Sequence, residues 1–302
     1  MIGKHGKAQM SFTAVTEPEG TPQCAPPMTA QHFKRLSEFI RQQVGIRLPP
    51  GKKVMLEARL QKRLRSLGMH SFDEYCERLF NSLESDEETS QMINAVTTNK
   101  TDFFREPAHF HYLRDVVLPQ FDKANEAMTE RTFSLWSAGC SSGEEPYTLS
   151  MVLGDYAELH AGFRFSVLAT DISTRVLDKA RLGIYEEERV AMVPEQMKKK
   201  YIMRSKDRSK GLVRIVPELR HQVRFKQANL VSEDFSLPEP LDVIFCRNVI
   251  IYFERLYQEI LLERLCRSLK TGGHLFLGHS ETVHGFALPL VRIASTIYRK
   301  VL

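Results

Sequence analysis

Apolar runs are short throughout the 302 residues. None comes near the ~18 residues that a membrane-spanning helix needs, so insertion into a bilayer is not expected. The opening stretch, MIGKHGKAQMSFTAVTEPEGTPQCAPP, lacks the apolar centre of a secretory signal. Cysteines are few and scattered. Cys24, Cys76, Cys140, Cys246 and Cys266 are odd in number and form no C-x-x-C pair, which argues against a disulfide framework or a zinc site and for reduced thiols in the cytoplasm. Neither sign of charge dominates. A formal net charge of +5 favours an acidic partner without requiring nucleic acid, so its location matters more than its sum.

What is present is ordinary for a globular protein: 42% hydrophobic and 26% charged residues, in a chain long enough for two domains. Residues 1–28 hold little that repays the entropy of ordering and are expected to be a disordered tail. Residues 29–115 read as a helical domain. Phe33, Leu36, Phe39 and Ile40 recur at helical spacing, RLPPGKK breaks the pattern, and Leu56, Leu60, Leu64 and Leu67 form a second stripe. Lys52, Arg59 and Arg63 flank that stripe, either as a solvated face or as a docking surface for an acidic partner.

From residue 116 to 302 strands and helices alternate. RTFSLWSAG, FRFSVLATD, HQVRFKQANL, LDVIFCRN and TGGHLFLGHSE read as strands and RIASTIYRKVL as a last one. EPYTLSMVLGDYAEL, TRVLDKARLG and ERLYQEILLERLCRSLK read as the helices among them. This order predicts an α/β fold with a mostly parallel sheet covered by helices. The interval from Asp171 to Val223 is far longer than a helical crossover needs. Tyr201–Arg204 and Leu212–Val216 look like short strands around a polar turn, so a small β subdomain is expected at about 185–222.

The segment GCSSG (139–143) matches the nucleophile elbow G-x-S-x-G, with Ser141 as nucleophile and Asp242 and His279 available downstream. That reading fails on context, because FSLWSA is the first strand and no Gly-rich oxyanion loop precedes it. A ligand cradle explains more. Gly139 and Gly143 let backbone approach a ligand, and the following helix directs its free N–H groups there. Glu144 and Glu145 would repel a polyphosphate but suit an ammonium, which favours S-adenosylmethionine over NAD or ATP, with no metal. Ser142 to Glu145 also fits a capping box, which would make Glu145 structural. Asp171 ends the second strand, where an acid accepts from ribose hydroxyls. Asn229 ends the third, where an amide suits an adenine edge or simply makes a turn.

TTNKTDFFREP (97–107), SSGEEPYTL (141–149), ATDIS (169–173) and FCRNVIIYF (245–253) resemble the hallmark segments of the CheR family, the chemotaxis receptor protein-glutamate O-methyltransferases. The resemblance runs from about residue 29 to the C-terminus. It implies a helical N-terminal domain, a Rossmann-like S-adenosylmethionine-dependent methyltransferase domain and a three-stranded antiparallel β subdomain. It also implies cofactor contacts at Asn99, Thr101, Arg105, Glu145, Asp171, Asn229, Leu230, Arg247 and Asn248. The general methyltransferase pattern G-x-G-x-G is not kept, since Cys140, Ser141 and Ser142 fill its middle.

A glutamate carboxylate is already anionic near neutral pH, so no general base is required. Arg105 is the candidate for orienting it through a two-toothed guanidinium contact, with Tyr252 sharing the task or else packing beside Phe253. Phe103 and Phe104 are expected either to wall the site against water or to pack as core. His109 and His111 lack a third ligand nearby, so no metal is expected. Cys246 lacks the neighbouring proline of RNA cytosine methyltransferases, and CRNVI lacks the prolines of DNA amino-methyltransferases. A nucleic-acid methyltransferase and a non-catalytic S-adenosylmethionine sensor are the alternatives. The expected partner is the cytoplasmic domain of chemotaxis receptors, met by a cytoplasmic monomer. Residues 198–214, with eight basic side chains and one acidic, form either an aggregation-resistant edge or a site for a receptor C-terminal peptide.

Overall fold

A computed structural model describes residues 25–81, 85–125, 132–233 and 236–301. The expected tail lies outside the described residues up to residue 24, but Met28 is buried beside the first helices. Helix α1 (Ala30–Val44) starts at Thr29, whose hydroxyl accepts from the His32 amide while His32 Nδ1 accepts from the Thr29 amide. It buries Leu36, Ile40 and Val44 and leaves Phe33 and Phe39 half-buried. Helix α2 (Lys53–Leu67) buries Leu56, Leu60 and Leu64 against α3 (Phe72–Asn81) and α4 (Ser85–Val96). Two residues of the expected basic flank turn inward. Arg63 grips the buried Glu88 at 2.7 and 3.0 Å, and Tyr75 donates to the same carboxylate at 2.9 Å. Arg59 donates to the carbonyls of Val96 and Thr97. Both are internal ties.

The packing changes partners after α4. A continuous helical stretch runs through α5 (Ala108–Tyr112), a π-helical turn (Leu113–Val117) and α6 (Leu118–Asn125). Its Phe110, Leu113, Val117 and Leu118 belong to the core of the sheet, not to that of α1–α4. Pro119 near the start of α6 cannot donate to a carbonyl one turn back, and the wider π turn just before it accommodates that loss.

Strands β1 (Thr132–Ala138), β2 (Arg164–Asp171), β6 (Val223–Gln227), β7 (Leu241–Cys246) and β8 (Leu269–Leu277) lie parallel. The sheet order is β6-β2-β1-β7-β8-β10-β9. The final segment makes two strands rather than one: β9 (Leu290–Ala294) and β10 (Ile297–Lys300) pair antiparallel around Thr296, which adopts a φ of 54°. Helices α7 (Glu144–Leu159), α8 (Thr174–Leu182) and α9 (Arg255–Arg267) supply crossovers. In the long interval β3 (Ile184–Glu186) joins β4 (Ile202–Arg204) and β5 (Leu212–Ile215) in a separate antiparallel sheet, order β3-β5-β4.

One buried amide joins the helical layer to the sheet. Asn94 of α4 accepts from Ser173 Oγ at 2.7 Å and from the Arg175 amide at 3.3 Å. It donates to Thr174 Oγ1 at 2.9 Å. It therefore caps α8 from a different helix, where Ser173 supplies no cap of its own.

Candidate S-adenosylmethionine site

All the expected site residues, Tyr252 included, line one cavity of about 310 Å³ between the helical layer and the carboxyl ends of β1, β2 and β7. That is where a doubly wound sheet leaves a crevice. Its floor is the loop after β1. Gly139 sits at φ 77°, and a Cβ there would come within 2.5 Å of Val249, so no other residue fits. Gly143, at φ 99°, begins α7 with no side-chain cap. The expected Ser142–Glu145 capping box is absent. Glu145 instead accepts from Ser137 Oγ at 2.7 Å and lies 3.4 Å from Arg247 Nε. Burial pushes its carboxyl up, while Arg247 and Ser137 pull it back.

Ser141 is no nucleophile. Its hydroxyl donates to the Asn99 carbonyl at 2.9 Å and its amide to Asp171 Oδ2 at 2.8 Å. Asp242 pairs with Lys270 at 2.9 Å near the starts of β7 and β8, and His279 faces Glu106. The buried Asp171 also accepts from the Ser173 amide at 2.9 Å. Burial raises its carboxyl, and the amide donors oppose that shift. Asn229 spends one amide donor on the Gln43 carbonyl at 2.8 Å and accepts from Val231 at 3.2 Å. The turn role is real, and one amide hydrogen remains for a ligand. Leu230 is buried, with its carbonyl held by Arg264.

Arg247 and Arg105 behave differently. Arg247 is buried over the ring of Phe110, donates to the Arg105 carbonyl, and leaves Nε and Nη1 without hydrogen-bond partners. Arg105 is half-buried and donates to the Lys100 carbonyl at 3.0 Å. It is flanked by two non-glycine residues in the left-handed region, Phe104 at φ 53° and Glu106 at φ 58°, a conformation that costs free energy at each. Tyr252 is 37% exposed and is not a core residue. Phe103 and Phe104 do not reach the cavity. Phe103 packs edge-on to Tyr185 and Phe104 to Phe110, and Phe110 joins Tyr252 and Phe253 in lining the site. Asn99 is tied to Thr97 Oγ1 at 3.2 Å. The carbonyl of the buried Thr101 accepts from Arg189 at 2.6 Å. Cys246 is fully buried and its thiol is pushed well up by that burial, which removes it as a nucleophile.

Two residues that sequence reasoning missed hold this arrangement. Glu281 accepts from the amides of Asn248, Val249, Ile250 and Gly278 at 2.6–2.8 Å. It thereby fixes the turn after β7, where Asn248 is at φ 59°. Arg189 binds Glu144 at 2.6 Å and Asp102 at 2.9 Å, joining the β subdomain segment to both loops. The only sequence signal for Glu281 is an acid just past the apolar strand in LFLGHSE, and Arg189 has none.

Residues 31–97 match the all-alpha domain of CheR methyltransferases, and residues 99–298 match their S-adenosylmethionine-binding domain. A chemotaxis protein methyltransferase of Klebsiella aerogenes is 40% identical over 276 residues, covering 90% of each chain. One from Escherichia coli is 40% identical over 88% of this chain and 90% of its own. Chemotaxis protein methyltransferase 2 of Pseudomonas aeruginosa is 40% identical over 89% and 93%. With both domains matched in order and the similarity running over nearly the whole length of these relatives, the chain belongs to the CheR methyltransferase family.

Proposed function

We propose that this cavity holds S-adenosylmethionine through Glu145, Asp171, Arg247 and the turn at Asn229–Leu230, and presents its methyl group beside Arg105 and Tyr252. The donor set fits the molecule: a buried acid for the ammonium, a second acid for the ribose diol, and an arginine with an unpartnered Nη1 for the carboxylate. The observation that carries this reading is the pairing of Glu145 with Arg247 at 3.4 Å in the cavity wall. An amino acid's two charged ends find opposite charges there. The sulfonium supplies an already activated methyl group.

The reaction is transfer of that methyl group to a glutamate carboxylate on chemotaxis receptors, the activity of this family. The residues need not remove a proton. They position the incoming carboxylate, for which the Arg105 guanidinium is our candidate, and exclude water. Positioning alone can contribute ~7–11 kcal/mol in favourable cases. Labelled methyl transfer onto receptor-containing membranes, followed by alkali, tests this reading. Glutamate methyl esters release methanol in base, and label that survives alkali would point to N-methylation or base methylation instead.

The receptor's cytoplasmic domain is the proposed partner, met in the cytoplasm. The buried state of Cys76, Cys140, Cys246 and Cys266 agrees with a reducing compartment, and no helix among the described residues is long and apolar enough to cross a membrane. A receptor C-terminal peptide is proposed to add along β4, an edge of the small sheet. The adjoining turn leaves Lys206, Arg208 and Lys210 exposed.

A further inference from the structure

Behind Arg247, outside the cavity, lies a group of side chains that the methyl-transfer reading does not use. His109 is 2% exposed. Its Nε2 lies 2.9 Å from Thr296 Oγ1, and that hydroxyl already donates to the Ser295 carbonyl at 2.8 Å. With the hydroxyl hydrogen assigned to that carbonyl, its oxygen accepts from Nε2–H, the tautomer that leaves Nδ1 with a bare lone pair. Nδ1 has no hydrogen-bond partner and faces Glu106 Oε2 at 3.5 Å, an atom that is likewise buried without one. Two acceptors thus face each other, a costly arrangement unless something positive lies between them. His279 Nε2 lies 3.9 Å from the same Oε2, and all three atoms fall within 4.8 Å of one another.

We propose that Glu106, His109 and His279 form a binding site for a divalent transition-metal cation of the zinc type. A tetrahedral ion with bonds of about 2.1 Å places its ligand atoms about 3.4 Å apart. The 3.5 Å separation already matches, and the side chain of His279, 57% exposed, is free to close the 3.9 Å one. The hydroxyl of Thr296 fixes the His109 ring in the tautomer that a metal requires, as the outer partner of a metal-bound histidine does. The exposed side at His279 gives an entry path and a fourth position for water.

Occupancy reaches the methyl-transfer site through one atom. Glu106 Oε2 is 3.6 Å from Arg247 Nε, and Glu145 is the other carboxylate beside that guanidinium. A cation on Glu106 takes one of the two counter-charges from Arg247 and so frees that guanidinium for the ligand's carboxylate, which strengthens ligand binding. This coupling rests on placing S-adenosylmethionine against Arg247, whereas the site itself does not.

Cobalt(II), titrated into the full chain after chelator treatment, is the probe. One equivalent should give the intense visible bands of a four- or five-coordinate nitrogen–oxygen site, bleached by zinc. The His279→Ala variant should bind cobalt at least tenfold more weakly, while a His111→Ala control is unchanged. Only the weak spectrum of the aquated ion, or equal cobalt affinity in His279→Ala, would overturn the site and leave a shared proton between Glu106 and His109. Saturating zinc should raise S-adenosylhomocysteine affinity severalfold in the wild type and not in His279→Ala. Equal affinity with and without zinc would overturn the coupling.

Discussion

Arg105 stands between two left-handed non-glycine residues, and among the described residues its guanidinium bonds the Lys100 carbonyl alone. The strain aims a side chain that little else restrains, as expected where a group must meet an incoming substrate. Arg105→Ala should abolish methyl transfer and leave a folded protein. Ser141→Ala should stay substantially active, because its hydroxyl serves only the Asn99 carbonyl. Its cost falls on stability, at ~1–3 kcal/mol for the carbonyl left unpaired. Circular dichroism with single-turnover transfer separates the two, and an inactive Ser141→Ala that binds S-adenosylhomocysteine normally would restore the serine as a nucleophile. A third substitution addresses the cofactor. Asp171→Ala should weaken S-adenosylhomocysteine by at least tenfold, since each charge-assisted hydrogen bond to the ribose contributes ~1.5–3 kcal/mol. Calorimetry giving equal affinities would remove Asp171 from the ligand.

Local chemistry made many of the elements readable. The β1 and β2 runs end in small or polar residues at the crevice, so GCSSG and Asp171 could be placed from pattern alone. The capping box misled because Ser142 and Glu145 have the right spacing but better partners elsewhere: Ser142 donates to Glu144 at 2.7 Å, and Glu145 is drawn inward by Ser137 and Arg247. Glu281, Arg189 and the Asn94 cap were not legible, since each acts on residues dozens of positions away. The last hairpin was hidden by Thr296, which turns the chain without a glycine or proline to mark it. In the small sheet, several charges found local partners: Lys200 meets Asp155 and Glu158, and Arg204 meets Glu187. That leaves the turn after β4, where Lys210 lies 3.7 Å from Asp207 and Lys206 and Arg208 are exposed, as the part open to an acidic peptide. Reversing Lys206, Arg208 and Lys210 to Glu should weaken receptor binding and spare S-adenosylhomocysteine affinity. Equal receptor affinity of the triple variant at low salt, where screening is least, would return the turn to a solubilising role.

The crevice depends on the sheet keeping its register, and the far end of that sheet carries a buried histidine with a pH signature. His274 on β8 is 6% exposed, and burial, with Arg299 adding to it, lowers its pKa to about 4. In the unfolded chain an ordinary histidine titrates near 6.5. Between these values the unfolded state binds the proton and the native state does not, so stability falls as pH drops from about 6.5 toward 4 and levels off below. The loss assigned to this group is on the order of a few kcal/mol. Substitution by leucine removes the titration and keeps an apolar side chain on a sheet face that also borders a cavity of about 210 Å³. Urea midpoints of His274→Leu should therefore decline less than those of the wild type between pH 7 and pH 4.5. Parallel declines would show that His274 is not held neutral in the folded protein, and the acid sensitivity would then belong to other buried groups.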